Sequence, residues 1–380
     1  MICFLDSQPA LSEASAHASN VRTMTTQATS SETQASEAPV SERDESANLA
    51  STSAASTPSI SKPKPVERNP GMPLDLDWVK GAHINLSAVQ RRCATLGTRR
   101  SVKKDWQVAW LLKAITLMDL TTLSGDDTDS NVQRLCAKAR NPVRHDILRG
   151  YGAEDLGITT GAVCVYHEYV KTAVAALKGT DIPVAAVSTG FPAGLIPFDL
   201  RIKEIGASVN DGAEEIDIVI TRRFVLNGDW QALYDEVSAY RKACGHAHIK
   251  TILATGELAT LRNIYQASLV CMMAGADFIK TSTGKEGVNA ILPFGLTMVR
   301  SIRSYAERTG YHVGFKPAGG IKTAKDALTW LFLMKEELGD RYLHPDLFRY
   351  GASSLLADIE RQLEFHLTGR YSADFRHPMG

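Results

Sequence analysis

Glu215-Ile216-Asp217-Ile218-Val219-Ile220 is the stretch on which the fold turns. Side chains alternate across a strand, so the three isoleucines share one face while Glu215, Asp217 and Val219 share the other. An isoleucine stripe of this kind packs outward under helices. Asp217 is thereby pointed to the inner face.

Working outward, short apolar runs at 115–120, 162–166, 184–187, 248–253, 277–281, 312–316 and 347–350 read as further strands. Helical periodicity falls between them, at 169–177, 201–209, 230–243, 258–273, 296–307, 324–338 and 353–367. Eight strands each followed by a helix predict the α/β class and a (β/α)8, or TIM, barrel over residues 114–380 with a C-terminal tail. A doubly wound open sheet is the competing topology. Residues 71–113 read as an N-terminal helical extension, with short helices at 75–81, 86–96 and 103–115 and Trp78, Trp106 and Trp110 as packing anchors.

Residues 1–70 differ in kind. Twenty-one of the 70 are Ser or Thr, and Phe4 is the one aromatic. Such a segment buries too little apolar surface to offset its ordering entropy, so a disordered arm is expected. Its acids, Glu13, Glu32, Glu37, Glu42, Asp44 and Glu45, argue against a transit peptide.

The charge balance of 42 Lys+Arg against 42 Asp+Glu gives no support for a nucleic-acid partner, whose phosphates call for a basic surface. No apolar run approaches the roughly 18 to 20 residues of a membrane span. The six cysteines stand singly, at 3, 93, 136, 164, 244 and 271, as reduced thiols of a cytoplasmic protein would.

The chemistry centres on two lysines. In Phe278-Ile279-Lys280-Thr281-Ser282 alternation groups Phe278, Lys280 and Ser282, and in Val313-Gly314-Phe315-Lys316 it groups Gly314 with Lys316. These strands are sequential neighbours, about 4.8 Å apart in a sheet, and both lysines fall near the C-terminal strand ends where barrel active sites are built. A lysine of ordinary pKa, about 10.4, offers almost no free amine at neutral pH. A second ammonium beside it, together with burial, lowers that value and yields an amine able to attack a carbonyl. A phosphate site is the second expectation. Gly319-Gly320 follows the seventh strand, and Gly351-Ala352-Ser353-Ser354 leads into the last helix. Loops in those positions, with a helix N-terminus, commonly hold phosphate on backbone N–H groups. Gly284 and Lys285 would add an N–H and a cation.

Metal-ligand and nucleotide patterns fail. Asp127-x-Asp129-x-Asn131 begins like a calcium loop, but Val132 takes the glycine position and Lys138 the glutamate position. Its acids are expected to cap a helix instead. His167-Glu168 lacks the second histidine of a zinc-protease motif, and Ile279 stands where a Walker loop needs glycine. No metal and no other cofactor is expected.

Leu117-Met118-Asp119-Leu120-Thr121-Thr122-Leu123, Gly190-Phe191-Pro192, Thr255-Gly256-Glu257-Leu258, Phe278-Ile279-Lys280-Thr281-Ser282-Thr283-Gly284 and Gly314-Phe315-Lys316-Pro317-Ala318-Gly319-Gly320 together resemble the deoxyribose-phosphate aldolases, which are class I (Schiff-base) lyases. The likeness runs from about Leu74 nearly to the C-terminus, in the longer, eukaryotic-type form. It implies reversible cleavage of 2-deoxy-D-ribose 5-phosphate to D-glyceraldehyde 3-phosphate and acetaldehyde, a step of deoxyribonucleotide and carbohydrate catabolism. By position it implies Lys280 as the nucleophile, Lys316 as its pKa-lowering neighbour and proton-relay member, and Asp217 as general acid/base. Asp119 and Lys250 are implied as supporting lumen charges, an inert buried ion pair being the alternative. Gly284, Lys285, Gly319, Gly320, Gly351, Ser353 and Ser354 are implied as phosphate contacts. The partners implied are the sugar phosphate, acetaldehyde and a second copy in a homodimer. The chain departs from the family's pattern at His167, where proline is common. Two other functions compete: a sugar-phosphate binder without turnover, and a transaldolase-like Schiff-base enzyme.

Overall fold

The computed structural model describes residues 67–99 and 101–378. The expected disordered arm lies outside them, save for its last four residues. Eight parallel strands form one sheet: β1 Met118–Thr121, β2 Ala162–Tyr166, β3 Val184–Ser188, β4 Glu215–Val219, β5 His248–Ile252, β6 Phe278–Lys280, β7 Gly314–Lys316 and β8 Tyr350–Ala352. Their order is β7-β6-β5-β4-β3-β2-β1-β8. Parallel bridges between Phe315 and Phe348 and between Ala318 and Gly351 join the two edges, so the sheet closes into a (β/α)8 barrel. The open doubly wound sheet is excluded by that closure.

Alternation works as expected. Ile216, Ile218, Val163, Val165, Val184 and Ala186 all belong to the large core between sheet and helices. Their neighbours Cys164, Ala185 and Val187 form a separate cluster inside the barrel. In the seventh strand a glycine is required, because a Cβ on Gly314 would run into the ring of Phe278, its register partner on the adjacent strand β6.

Helices cover the outside. The 324–338 expectation is met by Ala324–Leu338, started by a capping box in which Thr323 and Asp326 exchange hydrogen bonds with each other's backbone N–H. Three helices appear that periodicity did not single out, Asp129–Arg140, His145–Gly150 and Arg222–Asn227. The first is capped by the Thr128 side chain rather than by the neighbouring acids. Asp127 instead accepts from Thr122 Oγ1 at 2.7 Å and Ser124 N at 2.9 Å, tying down the loop after β1.

Strand boundaries shift by one to three residues, most at the first and last strands. Ile115 and Thr116 end the helix Lys104–Thr116, so β1 starts at Met118 rather than at 115. A short apolar run fits a buried helix turn as well as a strand, and packing decides. The last strand lies at Tyr350–Ala352, later than 347–350. Of the tryptophan anchors, Trp78 stacks on Tyr305 at 6.3 Å and Trp110 meets Phe332 at 5.6 Å. Trp106 is 74% exposed and anchors nothing among the described residues. Arg92 also ties the helix Leu86–Arg99 to the barrel wall, through Glu336 at 2.6 Å and Glu337 at 3.0 Å.

Candidate active site

Register brings the charged side chains together. Asp217 of β4 pairs with Lys250 of β5, and Lys280 of β6 with Lys316 of β7. Lys280 Nζ donates to Asp217 Oδ2 at 2.7 Å, and Lys316 Nζ donates to the same oxygen at 2.8 Å. Lys316 Nζ also lies 2.5 Å from Asp119 Oδ2. Lys250 Nζ contacts Glu215 Oε2, with Asp217 Oδ1 at 3.3 Å and Asp119 Oδ2 at 3.4 Å. Arg349 completes the cluster, 2.6 Å from Asp119 Oδ1 and 3.0 Å from Glu215 Oε1. All seven side chains are buried.

The electrostatics of these groups diverge. Burial pushes Lys280 below the usual lysine range; Asp217 opposes the fall and the Lys316 ammonium adds to it. Burial works against Lys316 too, but Asp119 and Asp217 outweigh it and raise its pKa. Lys250 is likewise raised, since Asp217, Glu215 and Asp119 together overcome its burial. Asp217 is buried as well, yet Lys250, Lys280 and Lys316 hold it well below the carboxylate range. The physical distinction is partner number: Lys280 pairs with one carboxylate, Lys316 with two and Lys250 with three. Lys280 is therefore the amine that gives up its proton most readily, and it lies at the C-terminal end of its strand, facing the mouth.

Beside it lies a cavity of about 340 Å³ lined by Lys280 and by every residue expected to meet phosphate: Gly284, Lys285, Gly319, Gly320, Gly351, Ser353 and Ser354. Gly319 has φ +80°, and a Cβ there would come within 2.7 Å of Asn289. Thr281 Oγ1 accepts from Ala318 N at 3.0 Å, fastening the loop after β6 to the loop after β7. Ser353 precedes the helix Ser354–Thr368 and makes no side-chain cap bond to it, which leaves its hydroxyl and the helix N-terminus facing the cavity. The loop after β6 is arranged differently from the expectation. The Glu286 carboxylate accepts from Thr283 N at 3.0 Å and from Gly284 N at 3.1 Å, so Lys285 offers that loop's cation while those two amides are already engaged.

Opposite the lysines the wall is apolar. Cys164, Ala185 and Val187 pack with Leu123, Tyr166 and Phe191, whose rings meet edge to face at 5.8 Å. Burial raises the Cys164 thiol, keeping it neutral. His167, the departure after β2, places Nδ1 3.1 Å from Ser208 Oγ. Two cluster members were not singled out by sequence reasoning. Glu215 shares the inner face of Asp217, and Arg349 is a charge at the approach to an otherwise apolar strand; both signals were present in the chain.

Comparison with known proteins places this architecture. Residues 113–360 match the DeoC/LacD family of aldolases. A Mus musculus protein named deoxyribose-phosphate aldolase is 62% identical over 311 residues, 81% of this chain and 98% of its own length. The Homo sapiens protein of the same name is 59% identical over 313 residues, 82% of this chain and 98% of its own. A crystal structure from Toxoplasma gondii ME49 shares the fold, with a TM-score of 0.58 at 22% identity, over 70% of this chain and 97% of that one. With lysines, carboxylates and cavity gathered at one barrel mouth, the chain belongs to the DeoC/LacD aldolase family, among the deoxyribose-phosphate aldolases.

Proposed function

We propose that this protein cleaves 2-deoxy-D-ribose 5-phosphate reversibly to D-glyceraldehyde 3-phosphate and acetaldehyde, through an imine on Lys280. One observation carries the reading: a buried lysine with a single, shared carboxylate partner, its amine driven toward the neutral form, beside a glycine- and serine-lined cavity. The names of the mouse and human relatives support the substrate.

The Lys280 amine adds to the aldehyde carbon of the open-chain sugar, and loss of water gives a protonated imine. Removal of the C3 hydroxyl proton then breaks the C2–C3 bond; its electron pair flows into the imine to give an enamine, and glyceraldehyde 3-phosphate departs. Protonation of the enamine carbon and addition of water release acetaldehyde and restore Lys280. The imine is the electron sink, so the scheme invokes no metal or other cofactor. Asp217, an ionised carboxylate between the amines, takes and returns protons, acting through a water where it does not reach the substrate. Lys316, charged at rest, keeps Lys280 low and gives up and regains a proton in the relay with Asp217. Asp119 and Lys250 hold that pair in place. Lys285, the backbone at Gly319, Gly320 and Gly351, and Ser353 and Ser354 hold the phosphate; Gly284 joins them where Glu286 gives way.

The buried free thiols Cys93, Cys136, Cys164, Cys244 and Cys271 suit a reducing cytoplasm, and no helix among the described residues is long and apolar enough to cross a membrane. We extend the proposal to a homodimer; the exposed Leu195 and Phe198, which line one surface cavity with Phe224, support self-association, and light scattering checks it.

Borohydride reduction in the presence of acetaldehyde and EDTA tests the central step. A stable adduct is expected on Lys280, located by peptide mass mapping. Lys280→Ala should lose both the adduct and more than about ten-thousandfold in turnover. An adduct on another lysine would overturn the assignment. Intact deoxyribose 5-phosphate after binding would instead favour a non-catalytic sugar-phosphate protein.

A further inference from the structure

The buried cluster holds two charges to which neither the family likeness nor the scheme above gives a part, Glu215 and Arg349. We propose that they are positioning residues that set the charge balance of the lysine cluster from the barrel floor, with Arg349 supplying the excess positive charge that leaves Lys280 as the neutral amine. The proposal rests on the Schiff-base reading of Lys280.

Counting charges gives the reason. The buried cluster contains four basic groups, Lys250, Lys280, Lys316 and Arg349, against three buried carboxylates, Asp119, Glu215 and Asp217; Asp346, the other acid facing Arg349, is 34% exposed and stands partly in solvent. Fully ionised it would hold one uncompensated cation away from water, a costly state. A guanidinium does not deprotonate in proteins, so the proton must leave an amine. Lys280 has the fewest carboxylate partners and is the natural donor. Without Arg349, three amines would face three carboxylates, and the cluster would be neutral with Lys280 protonated and unreactive.

Arg349 acts from a distance from the reacting atoms. It precedes β8, Glu215 opens β4, and both line a cavity of about 300 Å³ at the N-terminal end of the strands, away from the phosphate cradle. Its guanidinium is fixed on three sides, by Asp119, by Glu215 and by the Pro345 carbonyl. The charged groups around it are Asp119, Glu215 and Asp346; around Glu215 they are Arg349, Lys250, Glu214 and His248. Lys280 is faced by Asp217 from β4, Lys316 from β7 and the Cys164 thiol from β2. Influence thus travels from Arg349 through Asp119 to Lys316, and from Glu215 through Lys250 to Asp217.

The test is the acid limb of kcat/KM against pH, which follows deprotonation of Lys280. Arg349→Met removes a positive charge and should move the limb upward by about one pH unit. Glu215→Gln removes a negative charge and should move it downward. The double variant restores an excess of one cation and should return the limb toward the wild-type position. Arg349→Lys keeps the charge but loses the fork, so it should lower kcat with the limb in place. A merely structural pair would lower activity in every variant and move no limb, which would overturn the proposal; so would shifts of the wrong sign. Should Arg349→Met fail to fold by circular dichroism, the sign seen in Glu215→Gln decides alone. Borohydride labelling of the wild type runs alongside. If it marks Lys280 while the limbs stay fixed, only this proposal falls; if it marks another lysine, the Schiff-base reading falls first.

Discussion

The barrel lumen has two halves built on opposite principles. From β4 round to β8 and β1 the charged inward side chains are Glu215, Asp217, Lys250, Lys280, Lys316, Arg349 and Asp119, knit into one network of charge contacts. On β2 and β3 they are Cys164, Ala185 and Val187, backed by Leu123, Tyr166 and Phe191. The charged half selects which amine loses its proton, because partner number differs among the lysines. The apolar half sets how strongly that selection is felt. Coulomb interactions grow as the local dielectric falls, and an apolar wall is what keeps it low. The two halves act on the same amine: burial lowers the pKa of Lys280, and the charges around it decide that Lys280, rather than Lys250 or Lys316, is the one lowered.

Replacing Asp217 strikes the charged half at its centre and should have the largest effect on this contrast. Asp217→Asn removes the carboxylate shared by Lys280 and Lys316, and kcat is expected to fall about a hundred- to ten-thousandfold in steady-state assays. Lys316→Leu comes next. Lys280 is reactive only above its pKa, and loss of the neighbouring ammonium raises that pKa. The acid limb of the rate profile should therefore move upward by about one to two pH units, costing about tenfold or more near neutrality. An unmoved profile would mean that the charge coupling across the lumen is absent. Lys285→Ala probes the cradle outside both halves. It should raise KM for the phosphorylated sugar about tenfold with kcat nearly kept, the value of one charge-assisted contact. Smallest is Cys164→Ala in the apolar half. It should cost about 1 kcal/mol of stability in denaturant unfolding and leave kcat within about threefold, with the acid limb unmoved. A large movement of the limb in that variant would give the thiol a part in the chemistry and break the division.

Much of this was legible along the chain. Two-residue alternation sent Asp217, Lys280 and Lys316 to one side because side-chain direction in a strand is a local property, settled by the backbone pleat. Gly319 and Gly320 after β7 and Gly351 in β8 announced a close backbone approach, and all three line the cavity. Other features were hidden for physical reasons. Ile115 reads equally as strand or helix until its packing partners are known. Trp106 reads as an anchor by size alone, although the surface it would cover is absent among the described residues. Glu286 looks like a solvated loop acid, and only the turn of the backbone brings it onto the Thr283 and Gly284 amides.

By itself, then, the sequence determined the barrel, the facing of its inner residues and the chemical kinds gathered at its mouth, since period, turn chemistry and side-chain pKa are short-range properties. Tertiary structure alone decided which lysine stands least compensated. Asp119 and Arg349 lie 230 positions apart in the chain, and only closure of β8 against β1 and β7 sets them 2.6 Å from each other. Proton affinity in a buried cluster follows from the number and distance of opposite charges in three dimensions, which no local pattern encodes.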